Sequence, residues 1–273
     1  MPRPSIADRR RTFRALHVSG CFVIPNPWDP GSARYLQSLG FKALATTSSG
    51  LAWTRARPDN GITREAALAH LADMVAATDL PVNADFEGGF AADAAGVAES
   101  VRLAVETGVA GLSIEDSTGD AARPLHEFSV AVERMRAARR AVDKAGGDTL
   151  LVGRAECFLV GRPDLAETIA RLRAYSDAGA DCLYAPGIRT PEDIAAVVAA
   201  VAPKPVNLLI GWASELTVSA VAELGVRRIS VGGALARSAW GGFTRAAKRI
   251  ADGGRFDGFA DAASGADLNA LFR

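Results

Sequence analysis

Short apolar runs recur eight times along the chain, at residues 21–26, 43–48, 81–86, 111–116, 150–156, 182–187, 205–211 and 228–233, each closing on small or polar residues. Runs of this length between turn signals mark strands buried on both faces. Between them, residues 64–78, 94–107, 129–145, 163–178, 191–201, 214–224 and 235–251 place apolar positions three and four apart, the spacing of helices with one buried stripe. Thr63 before Arg64-Glu65, Arg162-Pro163-Asp164 and Thr190-Pro191-Glu192 are helix-start signals. Gly40, Gly108, Gly146, Gly179 and Gly225 stand where helices should stop, because glycine enters the left-handed closing conformation at little steric cost. Eight strand–helix units without a linker predict a single-domain α/β fold, the (β/α)8 TIM barrel, over residues 1–273. Its core is expected at about 21–251 and a C-terminal tail at 252–273. A doubly wound open sheet would need a glycine-rich phosphate turn after its first strand, where Asn26-Pro27-Trp28-Asp29 stands instead.

Composition narrows the partners. Lys+Arg and Asp+Glu both number 31, so the net charge of zero speaks against nucleic acid or an anionic membrane as partner. The arginine-rich start lacks the apolar stretch of a secretory signal, and Arg9-Arg10-Arg11 read as the solvated face of a first helix. The longest apolar run, residues 194–202, is too short to cross a bilayer. Cys21, Cys157 and Cys182 have neither metal-like spacing nor an even number for a disulfide framework, and read as structural thiols. A cytoplasmic protein is the expectation. His17, His70 and His126 lie in or beside helix-like segments and read as structural or solvated.

In a barrel the C-terminal strand ends converge on one face, where active sites are built. Asp85 and Glu87, two residues apart at the end of the third run, should point the same way. Glu115 and Asp116 close the fourth run, Arg154 and Glu156 the fifth, and Asn207 lies in the seventh, with Asp59 in a connecting loop. Carboxylates converging without His or Cys form the hard oxygen set that Mg²⁺ or Mn²⁺ selects. The alternative is an ion-pair network that only braces the barrel mouth. Ser48-Ser49-Gly50 is either a plain loop or a bend whose N–H groups cradle an anion.

The order of Ser49-Gly50-Leu51, Asp59, Asp85-Phe86-Glu87-Gly88-Gly89-Phe90, Ile114-Glu115-Asp116 and Arg154-Ala155-Glu156 resembles the isocitrate lyase/phosphoenolpyruvate mutase family, from about residue 26 to about residue 250. The resemblance implies a (β/α)8 barrel that assembles as a homo-oligomer, tetramer or dimer, often with its last helix exchanged between subunits. It implies Mg²⁺, replaceable by Mn²⁺, with Asp85 as direct ligand and Glu87 and Glu115 holding its waters, Asp59 nearby. Ser49, Gly50 and Leu51 would bind a substrate carboxylate through N–H groups. Arg154, oriented by Glu156, would bind a carboxylate or phosphonate. Asn207, and Arg123 toward a second carboxylate, complete the candidates.

Departures are concentrated in one loop. Lyase members carry K-K-C-G-H after the fourth strand, where this chain reads Ser117-Thr118-Gly119-Asp120-Ala121-Ala122-Arg123-Pro124-Leu125. The Lys and Asn that phosphonomutases carry there are absent too, and Ala185-Pro186 replaces their histidine after the sixth strand. The expectation is a Mg²⁺-dependent lyase or decarboxylase that breaks a C–C bond of a small 2-oxo or 2-hydroxy carboxylate through a stabilised enolate. The alternatives are a P–C bond enzyme of the phosphoenolpyruvate mutase or phosphonopyruvate hydrolase type, and a non-catalytic barrel binding a metal and a dicarboxylate.

Overall fold

A computed structural model describes residues 3–273. Eight parallel strands, β1 (Phe22–Ile24), β2 (Leu44–Ala45), β3 (Val82–Asp85), β4 (Gly111–Glu115), β5 (Leu150–Arg154), β6 (Cys182–Tyr184), β7 (Val206–Leu209) and β8 (Arg228–Ser230), form one sheet in the order β1-β8-β7-β6-β5-β4-β3-β2. The ladder is open between β1 and β2, and the Ala45 N–H bridges that seam to the Pro25 carbonyl at 3.1 Å. Asn26 seals the same seam from its side chain. Its amide donates to the Thr46 carbonyl at 2.9 Å, and its Oδ1 accepts from the N–H groups of Val231 and Gly232. The result is the TIM barrel that the eight repeats predict.

Helices alternate with the strands: α2 (Pro30–Ser38), α3 (Ser48–Thr54), α4 (Arg64–Ala77), α5 (Ala94–Glu106), α6 (Phe128–Lys144), α7 (Leu165–Asp177), α8 (Pro191–Val201), α9 (Val218–Glu223) and α10 (Ala234–Gly253). Each of the five predicted helix-stop glycines has positive φ, between 85° and 108°. Thr63 and Thr190 cap α4 and α8 as expected. Helix α7 starts two residues later than its apolar pattern, because Asp164 accepts from the Glu167 N–H and becomes the cap, leaving Pro163 outside. The main core lies between sheet and helices, with Leu112, Leu151, Leu183 and Leu208 of the strands against Val101, Met135, Tyr175 and Val197 of the helices.

The first helix, α1 (Ile6–Leu16), corrects one expectation. It closes the N-terminal end of the barrel. Fully buried Phe13 packs so near Gly111 that a Cβ there would lie 2.6 Å from its ring, a contact that only glycine permits. Burying such a ring contributes about 2–3 kcal/mol. Arg9 and Arg10 are not solvated: they donate to the carbonyls of Val75 and Thr78, and of Val105 and Val109, at the ends of α4 and α5. Orphan carbonyls at helix ends need such donors, so the arginine-rich stretch is a set of staples. Of the three, Arg11 alone is exposed, paired with Asp8.

The C-terminal end behaves differently. Helix α10 runs for 20 residues with Ala236 as its one buried side chain. Beyond it a 3-10 turn (Asp257–Phe259) folds back on α10 and α11 (Gly265–Leu271) reaches α2, where Arg34 lies over the Phe272 ring. Phe243 and Phe256 remain 61% and 67% exposed, beside exposed Trp240 and Phe259. No helix among the described residues is long and apolar enough to cross a membrane.

Candidate active site

The acidic strand ends do converge, around one guanidinium. Arg154 Nη1 lies 3.1 Å from Asp85 Oδ1 and 3.1 Å from Glu115 Oε2, and its Nε donates to Glu156 Oε1. The cation is seated on the Tyr184 ring, 5.2 Å from its centroid. Burial alone would lower the Arg154 pKa, but the charges of Glu115 and Glu156 hold it well above the usual range. Asp85 is held from the other side by Ser48, whose N–H and hydroxyl both donate to Oδ2 at 2.9 Å. Thr46 Oγ1 accepts from the Asp85 N–H at 2.9 Å, and Ser117 donates to Glu115 Oε1 at 2.8 Å.

Glu87 reaches the cluster by a route that alternation does not describe. Strand β3 ends at Asp85, and Glu87 sits in the following turn with φ +47°, in the left-handed region that costs a non-glycine residue roughly 1–3 kcal/mol. Phe90, at φ +52°, closes the same turn. Buried Arg134 pins it by donating to the carbonyls of Gly88, Ala91 and Ala92. This strained turn holds Glu87 buried, with Oε1 lacking any partner among the described residues. Burial, then the charges of Asp85, Glu115 and Asp59, push the Glu87 pKa up to about 8. Burial and the Glu115 charge also push Glu156 up to about 8, despite Arg154. Burial raises Glu115 too. Asp59, on the exposed loop between α3 and α4, lines the cavity rim, and is raised by desolvation and by Asp85.

Other candidates fall differently. Gly50 and Leu51 do not form an open anion cradle: Ser48–Thr54 is a helix, and their N–H groups bond to Thr47 Oγ1 and the Thr47 carbonyl. Thr47 wins because it is the helix cap; Ser49 lines the cavity. Arg123 stays outside, exposed in the loop after β4 and near Asp120. Asn207 is fully buried on the cavity floor, where Ser230 and Arg228 are its partners.

Asp116, which closes the fourth run, gathers two positioning residues, Tyr175 and Arg171, that carry no signal in the strand-end pattern. Asp116 Oδ1 accepts from the Glu156 N–H at 2.8 Å, while its Oδ2 takes Tyr175 Oη at 2.5 Å and Arg171 Nη1 at 3.1 Å. Arg171 also donates to the His126 carbonyl, which ties the loop base to the same group. Tyr175 and Arg171 recur four apart on α7, a spacing that only helical geometry connects to β4.

No ready-made cluster of three or more metal-ligating side chains exists among the described residues, since Arg154 stands between Asp85 and Glu115. The charge balance nevertheless fits a divalent cation. Asp85, Glu87, Glu115, Glu156 and Asp59 surround one arginine, and Glu87 keeps a buried oxygen without a donor. An all-oxygen set of this kind suits Mg²⁺ or Mn²⁺ held partly through water.

A carboxyl whose folded pKa is raised favours folding while protonated, so its contribution is full below its unfolded pKa and is lost as pH rises through the folded one. With Glu87 and Glu156 near 8, the metal-free protein should lose thermal stability between about pH 5 and pH 8.5. Mg²⁺ should raise Tm more at pH 8.5 than at pH 6, because at pH 6 it must displace protons. Differential scanning fluorimetry at both pH values checks this, and an equal Mg²⁺ shift would contradict it.

A sequence profile of the phosphoenolpyruvate phosphomutase family matches residues 13–251. A structure from Burkholderia cenocepacia J2315, provisionally named a lyase/mutase, superposes with a TM-score of 0.95 at 50% identity over 98% of this chain and 97% of that one. Oxaloacetate decarboxylase of Pseudomonas savastanoi pv. phaseolicola (strain 1448A / Race 6) is 30% identical over 83% of this chain and 79% of its own. Oxaloacetate acetylhydrolase, solved with its product oxalate, superposes with a TM-score of 0.87 at 27% identity, over 97% of this chain and 94% of that one. The chain belongs to the phosphoenolpyruvate phosphomutase family and is an enzyme of the superfamily that this family shares with isocitrate lyase.

Proposed function

We propose that this enzyme breaks a carbon–carbon bond of a small 2-oxo or 2-hydroxy carboxylate with the help of Mg²⁺, for which Mn²⁺ can substitute. The observation that carries the reading is the excess of buried carboxylate around Arg154, with Glu87 Oε1 left without a donor. Asp85 would hold the cation directly, with Glu87 and Glu115 holding its waters. A cation there would supply Lewis-acid stabilisation of the negative charge that develops as the bond breaks. The protein's own groups do the rest. Arg154, charged throughout and set by Glu156, receives the substrate carboxylate. Asp116 fixes Glu156 through its N–H, and Ser48 fixes Asp85. Such preorganised charge costs no rearrangement as the transition state forms.

The loop at 117–125 favours C–C over P–C chemistry. Transfer of a phosphoryl group calls for cationic groups closing over it, and the one cation of that loop, Arg123, faces solvent near Asp120. Proton NMR of the protein with Mg²⁺ and oxaloacetate, 2-methylisocitrate, dimethylmalate or phosphonopyruvate tests the proposal. Chelator-sensitive turnover of a carbon-only substrate is expected, and turnover of phosphonopyruvate alone would overturn it.

The exposed aromatics of α10 and the tail support a homo-oligomer in which these helices pack on a neighbouring subunit. Light scattering after size exclusion should give a tetramer or dimer. Trp240→Glu with Phe243→Glu should shift it to a smaller species; a monomeric wild type would contradict the arrangement.

A further inference from the structure

Among the described residues, one charged side chain of the cavity has no opposing charge. The strand register places Glu115, Arg154, Tyr184, Asn207 and Arg228 side by side in a single row across β4 to β8. Strands of a barrel tilt against its axis, so such a row descends from mouth to floor. It starts in the acidic cluster and ends at Arg228. Arg228 is 3% exposed. It donates from Nε to Asn207 Oδ1 at 2.7 Å and from Nη1 to Asn83 Oδ1 at 3.4 Å. Among the described residues its partners are these two amide oxygens, and no carboxylate pairs with it. Amide oxygens satisfy hydrogen bonds but leave the charge uncompensated, and a buried guanidinium is normally paired.

The compensation has to come from the cavity. Below Arg228 the barrel is sealed by Phe13, His17 and Phe22, whose rings stack edge to face at 4.7 and 5.1 Å. None of these three rings is an anion, and burial and then the Arg228 charge hold the His17 pKa down to about 3, so the floor is uncharged. Above it, Arg228, Asn207 and Ser230 line the same cavity as Asp85, Ser49 and Arg154, of about 180 Å³. That is the volume of roughly six waters, room for a small dicarboxylate. Neighbouring barrel layers normally carry Val, Ile and Leu; here Asn83, Asn207, Ser230 and Arg228 replace them.

We propose that Arg228, held by Asn207 and Asn83, is the receptor for a second, distal carboxylate of the substrate, so that the natural substrate is a dicarboxylate lying along the barrel axis. This rests on the function proposed above, whose metal and Arg154 would hold the proximal end. A guanidinium on the distal carboxylate keeps it ionised and attached. The bond that breaks is then one that leaves this carboxylate on a product, rather than one that releases it as CO₂.

Calorimetric titration in Mg²⁺ separates the two ends of the site. Oxalate probes the metal end; racemic malate against racemic lactate probes the distal carboxylate. Wild type should bind oxalate in a Mg²⁺-dependent way and prefer malate over lactate on the order of 100-fold. Arg228→Met, which keeps the apolar stem, should abolish the preference and leave oxalate binding and Tm unchanged or improved. Arg228→Lys should keep part of the preference, and decides the matter if the methionine variant does not fold. A preference that survives either variant undiminished, or a wild type that binds oxalate without preferring malate, would overturn the inference and spare the proposed function. Failure of wild type to bind oxalate with Mg²⁺ would instead defeat the proposed function, and this inference with it.

Discussion

Asp85→Ala is expected to remove Mg²⁺-dependent turnover by at least about 10³-fold while leaving the fold intact. The factor corresponds to about 4 kcal/mol of lost transition-state stabilisation, the scale on which a Lewis-acid metal acts. Stability should hardly change, because Asp85 is one of three carboxylates around Arg154, and Glu115 and Glu156 keep the guanidinium paired. Its removal also relieves repulsion on Glu87, whose raised pKa owes its second-largest share to Asp85. The apparent pKa of Glu87 should therefore fall, and NMR titration of its carboxyl checks this. A variant that kept wild-type turnover would place the metal elsewhere. One that lost 10 °C of Tm would make Asp85 a structural brace.

Arg154→Met should have the largest effect on stability. It leaves buried Glu115 and Glu156 and half-buried Asp85 without their shared cation, and stripping one partner from a buried ion pair typically costs about 3–5 kcal/mol. For a chain of this size that is a fall in Tm on the order of 10 °C. Lowering the pH should soften the loss, since protonation discharges the abandoned carboxylates. Mg²⁺ should soften it as well, and stabilise the variant more than wild type, because arginine and metal neutralise the same cluster. Arg154→Lys keeps a charge but not the fork that serves three acids, and should fall between the two. Thermal melts with and without Mg²⁺ at pH 6 and pH 8.5 measure all of this. An Arg154→Met variant that Mg²⁺ stabilised no more than wild type would separate the metal from the carboxylates.

The fold was legible because its signal is repeated. Eight apolar runs and five helix-closing glycines at Gly40, Gly108, Gly146, Gly179 and Gly225 say the same thing, and periodicity needs no knowledge of tertiary contact. The acidic cluster was legible in part, because Asp85, Glu115 and Arg154 lie at strand ends, where the barrel decides what converges. What escaped was set by local competition or by long-range register. Thr47 captures the Gly50 N–H as a helix cap, so a stretch that reads either as a plain loop or as an open bend is the first turn of a helix. Arg9 and Arg10 look like a solvated charge run until helix-end carbonyls are brought within reach by α1 crossing the barrel base. Arg228 opens an eighth run that reads as apolar, and the pairing of β7 with β8 sets its side chain beside Asn207 on the cavity floor.

The most direct test of the account is anomalous diffraction from crystals grown with Mn²⁺ and oxalate. The account predicts an anomalous peak between Asp85, Glu87 and Glu115, with Arg154 withdrawn from at least one of its carboxylates to face the oxalate. No peak there, with Arg154 still joined to Asp85 and Glu115, would contradict it: the cluster would then be the barrel's own ion-pair brace.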